Sequence, residues 1–353
     1  MKQIDFKAFP KVALHDHLDG GVRPSTLLEL ACAQGIALPA DTPEQLALEV
    51  AKRVNSGSLV SYLEAFDWTV PVMQTADALT RIAREAVEDL AEDGVVLAEI
   101  RFAPLLHTAG GLSAQQVIDA VSAGLRQGTE LTGMPAGLIL CGIRCKDEFG
   151  EVARLFRENY HPHSVVVGVD LAGPELGFPV SKHPAIAALA AEIPDAPITL
   201  HAGEVKGGAE HETDGVSAGV ASIREAIRAG ARRVGHCTCL IEDILGDRAL
   251  LQEILERDIL VEVCLTSNGQ TLAVENVASH PLPRFLAERV KATLDVDNRM
   301  VSATSYSAEY QLAYEVLRIS EEALLQMSRN GLQASFLPQA QKQAVIRKYP
   351  ELA

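Results

Sequence analysis

Residues 76–102 read ADALTRIAREAVEDLAEDGVVLAEIRF, an amphipathic stretch followed by a short apolar run. In Ala76–Glu92 the apolar residues recur at three-to-four spacing, which marks a helix with one buried face. Val95–Phe102 is short, largely apolar and rich in β-branched residues, which marks a buried strand. The same alternation runs through the chain. Further strands are expected at Val12–His15, Gly137–Cys141, Val165–Leu171, Ile198–His201, Arg233–His236, Ile259–Val263 and Ala292–Asp297. Helical patterns lie between them at Ala114–Thr129, Glu148–Arg157, Ala185–Ala191, Val220–Ala229 and Leu250–Arg257, and Pro24 suits the first position of a helix reaching Ala33. Strands that alternate with helices in this number predict a closed parallel (β/α)₈ TIM barrel of the α/β class. An open doubly wound sheet would need a glycine-rich phosphate loop after the first strand, where this chain offers only Gly20 and Gly21. Residues 34–75 read as a helical, loop-rich insertion after the first strand, with Leu59, Tyr62, Leu63 and Phe66 on one face. One domain is expected over residues 1–353.

The charge balance narrows the partners. With 31 basic and 47 acidic residues the formal net charge is −16, and no local basic patch breaks it. Such a chain repels polyanions, so nucleic acid and anionic membrane surfaces are poor partners. No stretch approaches the ~20 apolar residues of a spanning helix, and the first residues hold no apolar signal core. The six cysteines are sparse for 353 residues and include no C-x-x-C pair, which favours a reducing, cytoplasmic setting. Cys237 and Cys239 read as small semi-buried fillers rather than ligands. No obligate protein partner is expected.

The first strand contains Ala13-Leu14-His15-Asp16-His17-Leu18-Asp19. Side chains alternate along a strand, so His15 and His17 face the same way and can grip one metal ion. Three more strand ends deliver His201, His236 and the pair Asp295 and Asp297. Barrel active sites lie at that rim, and four of only ten histidines fall there.

These residues resemble the adenosine deaminase family along nearly the whole chain. The likeness rests on His15-Asp16-His17-Leu18-Asp19-Gly20, Asp170-Leu171-Ala172-Gly173, His201-Ala202-Gly203-Glu204, Gly235-His236, Asp297-Asn298 and Ala334-Ser335-Phe336-Leu337-Pro338. The resemblance implies that His15, His17, His201 and Asp297 bind one zinc ion per chain. It implies that His236 orients or deprotonates the attacking water and that Glu204 shuttles a proton to the purine. His17, Asp19, Gly173 and Asn298 would contact the substrate, a purine nucleoside, in a purine-salvage reaction with water. Zinc lowers the pKa of water toward ~7. Adenine carbon 6 becomes electrophilic once ring nitrogen 1 is protonated, and a Glu in a dry pocket can carry that proton. The cytidine-type site needs H-x-E with P-C-x-x-C, which is absent, and strand four ends without the lysine of binuclear relatives. A single metal is therefore expected.

Two positions depart from the family's pattern. Asn298 stands where most relatives carry a second Asp, and its amide can donate to purine nitrogen 7 without borrowing a proton. Cys237 stands where a glycine commonly follows the strand-six histidine. The polar segment Val205–Ala218, with Lys206, Gly207, Gly208, His211 and Gly215, reads as a lid or a surface loop. Deamination of free adenine or another 6-aminopurine is the nearest rival reading, and a catalytically silent zinc-binding scaffold is the rival of another class. Asp19 suits a ribose hydroxyl, and its charge disfavours AMP.

Overall fold

A computed structural model describes residues 4–55, 62–205, 207 and 216–353. Eight parallel strands follow one another in chain order: β1 (Lys11–His17), β2 (Val95–Phe102), β3 (Ala136–Ile143), β4 (Val166–Ala172), β5 (Thr199–Ala202), β6 (Arg233–His236), β7 (Leu260–Val263) and β8 (Ala292–Leu294). Regular pairing joins β1–β4 into one sheet and β5–β8 into another. Single parallel bridges close the two seams, Val169 with Ile198 and Asp16 with Asp297. The result is the TIM barrel that the alternation predicts.

The seam between β8 and β1 shapes the site. The run Ala292–Asp297 reads as one strand, yet regular pairing stops at Leu294. The reason is local: the carboxylate of Asp295 replaces a backbone partner and accepts from the amides of Leu14 at 2.7 Å and His15 at 2.9 Å. Asp297 then takes a left-handed φ of 62°. Its amide donates to the His15 carbonyl at 3.0 Å, and its carbonyl accepts from the His17 amide at 2.8 Å. These bonds fix Asp297 against both β1 histidines.

Helices form where the periodicity places them. Ala76–Glu92 starts at Thr75, whose hydroxyl accepts from the Ala78 amide, and Ala114–Thr132 starts at a capping box of Ser113 and Gln116. Between β1 and Ala76 lie the helices Pro24–Gln34, Pro43–Val54 and Phe66–Thr69. Leu59, one of the four residues expected on an apolar face, lies outside the described residues, as do Lys206, Gly208, His211 and Gly215.

A large apolar layer fills the space between strands and helices. A smaller cluster of Val12, Leu14, Leu97, Ile139 and Leu260 packs against Leu332 and Leu337 of the C-terminal segment. There Ser335 donates to Glu99 at 2.7 Å, and the Arg233 guanidinium stacks 3.8 Å over Phe336. The motif Ala334–Pro338 thus closes the N-terminal end of the barrel, and the opposite rim carries the site.

Candidate active site

Three imidazole nitrogens meet at the C-terminal rim. Nε2 of His15 and Nε2 of His17 each lie 3.1 Å from Nε2 of His201. Oδ1 of Asp297 lies 3.4 Å from both β1 nitrogens. The protonation of two of these rings follows from their far sides. His15 Nδ1 donates to Glu262 at 2.9 Å, and His201 Nδ1 donates to Asp170 at 2.9 Å. Both carboxyls lie well below the usual range: burial raises them, but Arg101 and Arg233 around Glu262, and His201 and Arg101 around Asp170, more than offset it. A carboxylate can only accept, so each Nδ1 carries a proton, and Nε2 of His15 and of His201 is the side that meets a cation. Tetrahedral zinc ligands at ~2.0–2.1 Å stand about 3.4 Å apart, close to the spacings here. The residues present fit a single divalent ion.

Beneath them lies a buried ionic floor. Arg101 bridges Asp170 and Glu262 at 2.7 Å each. Arg233 bridges Glu262 and Glu99, again at 2.7 Å each. Carboxylates that hold metal-binding histidines by the far nitrogen fix the ring and its tautomer, and here the guanidinium groups fix the carboxylates in turn.

His236 differs. It belongs with His15, His201 and Asp297 to a buried group whose ligand atoms fall within 4.8 Å of one another. Its Nδ1, however, faces the amide nitrogen of Asn268 at 2.9 Å rather than a carboxylate. That environment sets it apart from the two rings with carboxylate partners, and the close set is His15, His17, His201 and Asp297. Both His236 and Cys237 adopt left-handed φ values, 63° and 57°. Cys237 and Cys239 are fully buried rather than semi-buried. Gly235 is required between them and β1, because a Cβ there would meet His15 Cε1 at 2.8 Å.

A cavity of about 260 Å³ opens over this cluster. His17, His201, His236, Glu204 and Asp297 line its deep end, Asp19, Gly173 and Asn298 line it as well, and Tyr62, Leu63, Phe66, Leu106, Ile143 and Pro174 form an apolar wall. Glu204 reaches it from a backbone held by Glu175, which accepts from the amides of Gly203, Glu204 and Val205 at 2.6, 3.0 and 2.9 Å. Burial, with the charges of Asp297 and Glu175, pushes the Glu204 carboxyl up to about 8. Burial pushes Asp19 up to about 7, and its Oδ1 is buried without a hydrogen-bond partner.

Comparison with known proteins points one way. The family model described as Adenosine deaminase matches residues 10–351. The chain belongs to the adenosine deaminase family. It is 40% identical to adenosine deaminase from Mycobacterium sp. (strain KMS) over 96% of this chain and 93% of that one. It is 37% identical to adenosine deaminase 1 from Streptomyces coelicolor over 96% and 85%. Among solved structures it is similar to adenine deaminase from Arthrobacter aurescens, with a TM-score of 0.82, 26% identity and coverage of 97% and 98%. It is also similar to the Arabidopsis N6-mAMP deaminase, at 0.81, 28% and coverage of 98% of each chain. The protein is therefore an enzyme of the amidohydrolase type.

Within this family member, His15, His17, Asp19, Gly173, His201, Glu204, His236, Asp297 and Asn298 lie together at one rim, and the structure adds others. Tyr62 is the least expected, since its spacing suggested an apolar face. Its hydroxyl bonds Ser302 at 2.6 Å, accepts from Asn298 Nδ2 at 2.8 Å and lies 3.3 Å from Asp297 Oδ2. Ser267 also donates to that oxygen, at 2.6 Å. One oxygen of Asp297 is thereby anchored while the other faces the imidazoles. One N–H of Asn298 is already engaged, which leaves its second. Gly20 makes room for that amide, since a Cβ there would lie 1.7 Å from Asn298 Oδ1. Glu99, Arg101 and Glu262 carried a signal that the motif reading passed over: charges inside otherwise apolar strand runs.

Proposed function

We propose that the protein hydrolyses adenosine and 2′-deoxyadenosine to inosine or deoxyinosine and ammonia, with one zinc ion held by His15, His17, His201 and Asp297. The observation that carries this reading is a carboxyl pushed up to about 8, Glu204, beside three converging imidazoles and a carboxylate at the deep end of an apolar cavity. Zinc would supply the Lewis acidity that lowers the pKa of water toward ~7.

The chain's own groups do the rest. Glu204 keeps its proton at neutral pH and gives it to ring nitrogen 1, which makes carbon 6 electrophilic. The oxygen of water adds to carbon 6, with Asp297 accepting from that water. His236 orients the water. Collapse breaks the bond from carbon 6 to the exocyclic nitrogen, which leaves as ammonia with one of the two protons the water gave up, and the other returns to Glu204. Tyr62, Leu63 and Phe66 shield the reaction from bulk solvent. Asp19 accepts from the ribose 5′-hydroxyl, which gives its unpartnered oxygen a donor. The second N–H of Asn298 donates to nitrogen 7.

Solved structures described as adenine deaminase and N6-mAMP deaminase share the fold, so a substrate that carries a 5′-phosphate or lacks the sugar is the alternative. No Lys or Arg lines the cavity among the described residues to hold a phosphate, and the unpartnered Oδ1 of Asp19 suits a ribose hydroxyl. Both observations favour a nucleoside. Loss of absorbance on deamination, followed side by side with adenosine, adenine, AMP and N6-methyl-AMP, tests this. Adenosine should exceed each of the others in kcat/KM by at least about 100-fold, roughly the discrimination expected when a built polar contact is lost or a charge is repelled. A higher value for adenine or for either nucleotide would overturn the assignment.

A further inference from the structure

The protonation of His236 can be read from a chain of hydrogen bonds that ends at a backbone amide. The amide of Leu282 donates to His280 Nδ1 at 3.1 Å. A backbone N–H can only donate, so His280 Nδ1 is bare and its single proton is on Nε2. That Nε2 lies 3.2 Å from Asn268 Oδ1, which can only accept. The Asn268 amide is therefore fixed with its NH₂ toward His236, and Nδ2 donates to His236 Nδ1 at 2.9 Å. His236 Nδ1 is thus also bare, and the imidazole proton is on Nε2. All three side chains are buried, so water does not compete for these bonds.

We propose that Asn268 and His280 are positioning residues that hold His236 as the Nε2–H tautomer, a hydrogen-bond donor toward the reacting atoms and not a general base. The consequence for the reaction rests on the deaminase reading above; the tautomer itself does not. Nε2 of His236 lies 3.9 Å from Glu204 Oε2, at the deep end of the cavity. A donor there stabilises negative charge that develops on the oxygen adding to carbon 6. A bare Nε2 would instead accept a proton from the water. His15 and His201 have the opposite orientation, with Nδ1–H donated to carboxylates and Nε2 turned toward the cation site. The strand ends thus present two kinds of imidazole, those that face the cation site and one that donates a hydrogen bond. The same polarity makes His236 unfit as a ligand, since a metal-binding imidazole donates from its far nitrogen.

Nitrogen NMR of the zinc-loaded protein, labelled at histidine, tests the tautomer directly. Proton on Nε2 and bare Nδ1 for His236 is the expected result; a proton on Nδ1 would overturn the proposal. Asn268→Asp supplies the second measurement. An ionised Asp can only accept, so it draws the His236 proton onto Nδ1 and bares Nε2. The expected outcome is a fall in kcat of roughly 10²–10⁴-fold, as wrong-tautomer variants show elsewhere, with zinc content unchanged. If the variant's spectrum shows the proton moved to Nδ1 while kcat stays within about threefold of the parent, below any general acid–base or donor contribution, the catalytic part of the proposal is overturned. Failure of the wild-type protein to deaminate any purine would strike the function reading alone, since the spectrum still reports the tautomer.

Discussion

Two sets of buried carboxyls lie within the same barrel and end in opposite states. On the floor, Glu262 sits between the guanidinium groups of Arg101 and Arg233 and Asp170 between Arg101 and His201, and both stay ionised. In the cavity above, Glu204 and Asp19 have no cationic side chain against them and are pushed up to about 8 and about 7 by burial. Burial acts on all four; the cations packed against Glu262 and Asp170, Arg101 and Arg233 for the first and His201 and Arg101 for the second, decide which way each goes. Groups whose environments push their pKa values apart identify the acid and the fixed charges of a site. Here Glu262 and Asp170 hold the imidazoles by Nδ1, and Glu204 keeps its proton at the cavity.

The comparison breaks most visibly at Glu204. Glu204→Gln should cost roughly 10²–10⁴-fold or more in kcat, because the amide cannot give up a proton. Its metal content and thermal midpoint should stay close to the parent, since a buried neutral group replaces a buried neutral group. A variant that kept about a tenth of parent kcat would remove Glu204 from the donor role. The pH profile carries the same sign. The useful form is protonated, so kcat/KM is full well below the Glu204 value and falls as pH rises through it, at about 8 in the absence of metal. A bound divalent ion favours the carboxylate and moves that limb to lower pH, never higher.

The floor should fail in stability and not in chemistry. Glu262→Gln leaves Arg101 and Arg233 each short of a charge partner in the interior. Breaking a buried pair from one side costs about 3–5 kcal/mol, which denaturant unfolding of the metal-free protein would measure. Metal affinity should drop about 10–100-fold with it, through the lost acceptor for His15 Nδ1. An unfolding free energy within about 1 kcal/mol of the parent would mean the ions on the floor are not coupled as described.

Asp19 sharpens the other side. Asp19→Ala should reduce turnover of adenosine more than that of 5′-deoxyadenosine, by a margin of about 1.5–3 kcal/mol in kcat/KM. Equal losses on both would detach Asp19 from the 5′-hydroxyl. Tyr62→Phe should give the smallest effect, about 0.5–1.5 kcal/mol. It frees an Asn298 N–H and removes one of two hydroxyls near Asp297 Oδ2, but Ser267 still holds that oxygen. A loss above about 100-fold would show that Tyr62 does more than orient these two groups.

Much of this was open to reading from the chain. Ala76–Glu92 and Val95–Phe102 occur at the bounds their patterns predict, because amphipathic periodicity and an unbroken apolar run are local properties. His15, His17, His201, Glu204, His236 and Asp297 were also legible, since strand ends in a barrel converge. Polarity was not. Whether an imidazole donates or accepts at Nδ1 depends on Glu262, Asp170 and Asn268, which are distant in sequence and meet only in the fold. The end of β8 escaped for a similar reason: Ala292–Asp297 looks like one strand, but the side chain of Asp295 takes over the backbone bonds of Leu14 and His15. Tyr62 was placed on an apolar face by its spacing, which locates a ring but not the hydroxyl at its tip.

Infrared difference spectroscopy of the zinc-loaded protein against Glu204→Gln, at about pH 6, reads the carboxyl split without any substrate. A protonated carboxyl band that is present in the parent and missing from the variant is the expected result, since burial keeps the proton on Glu204. Loss of an ionised carboxylate band in its place would put Glu204 on the same footing as Glu262 and contradict its role as the proton donor.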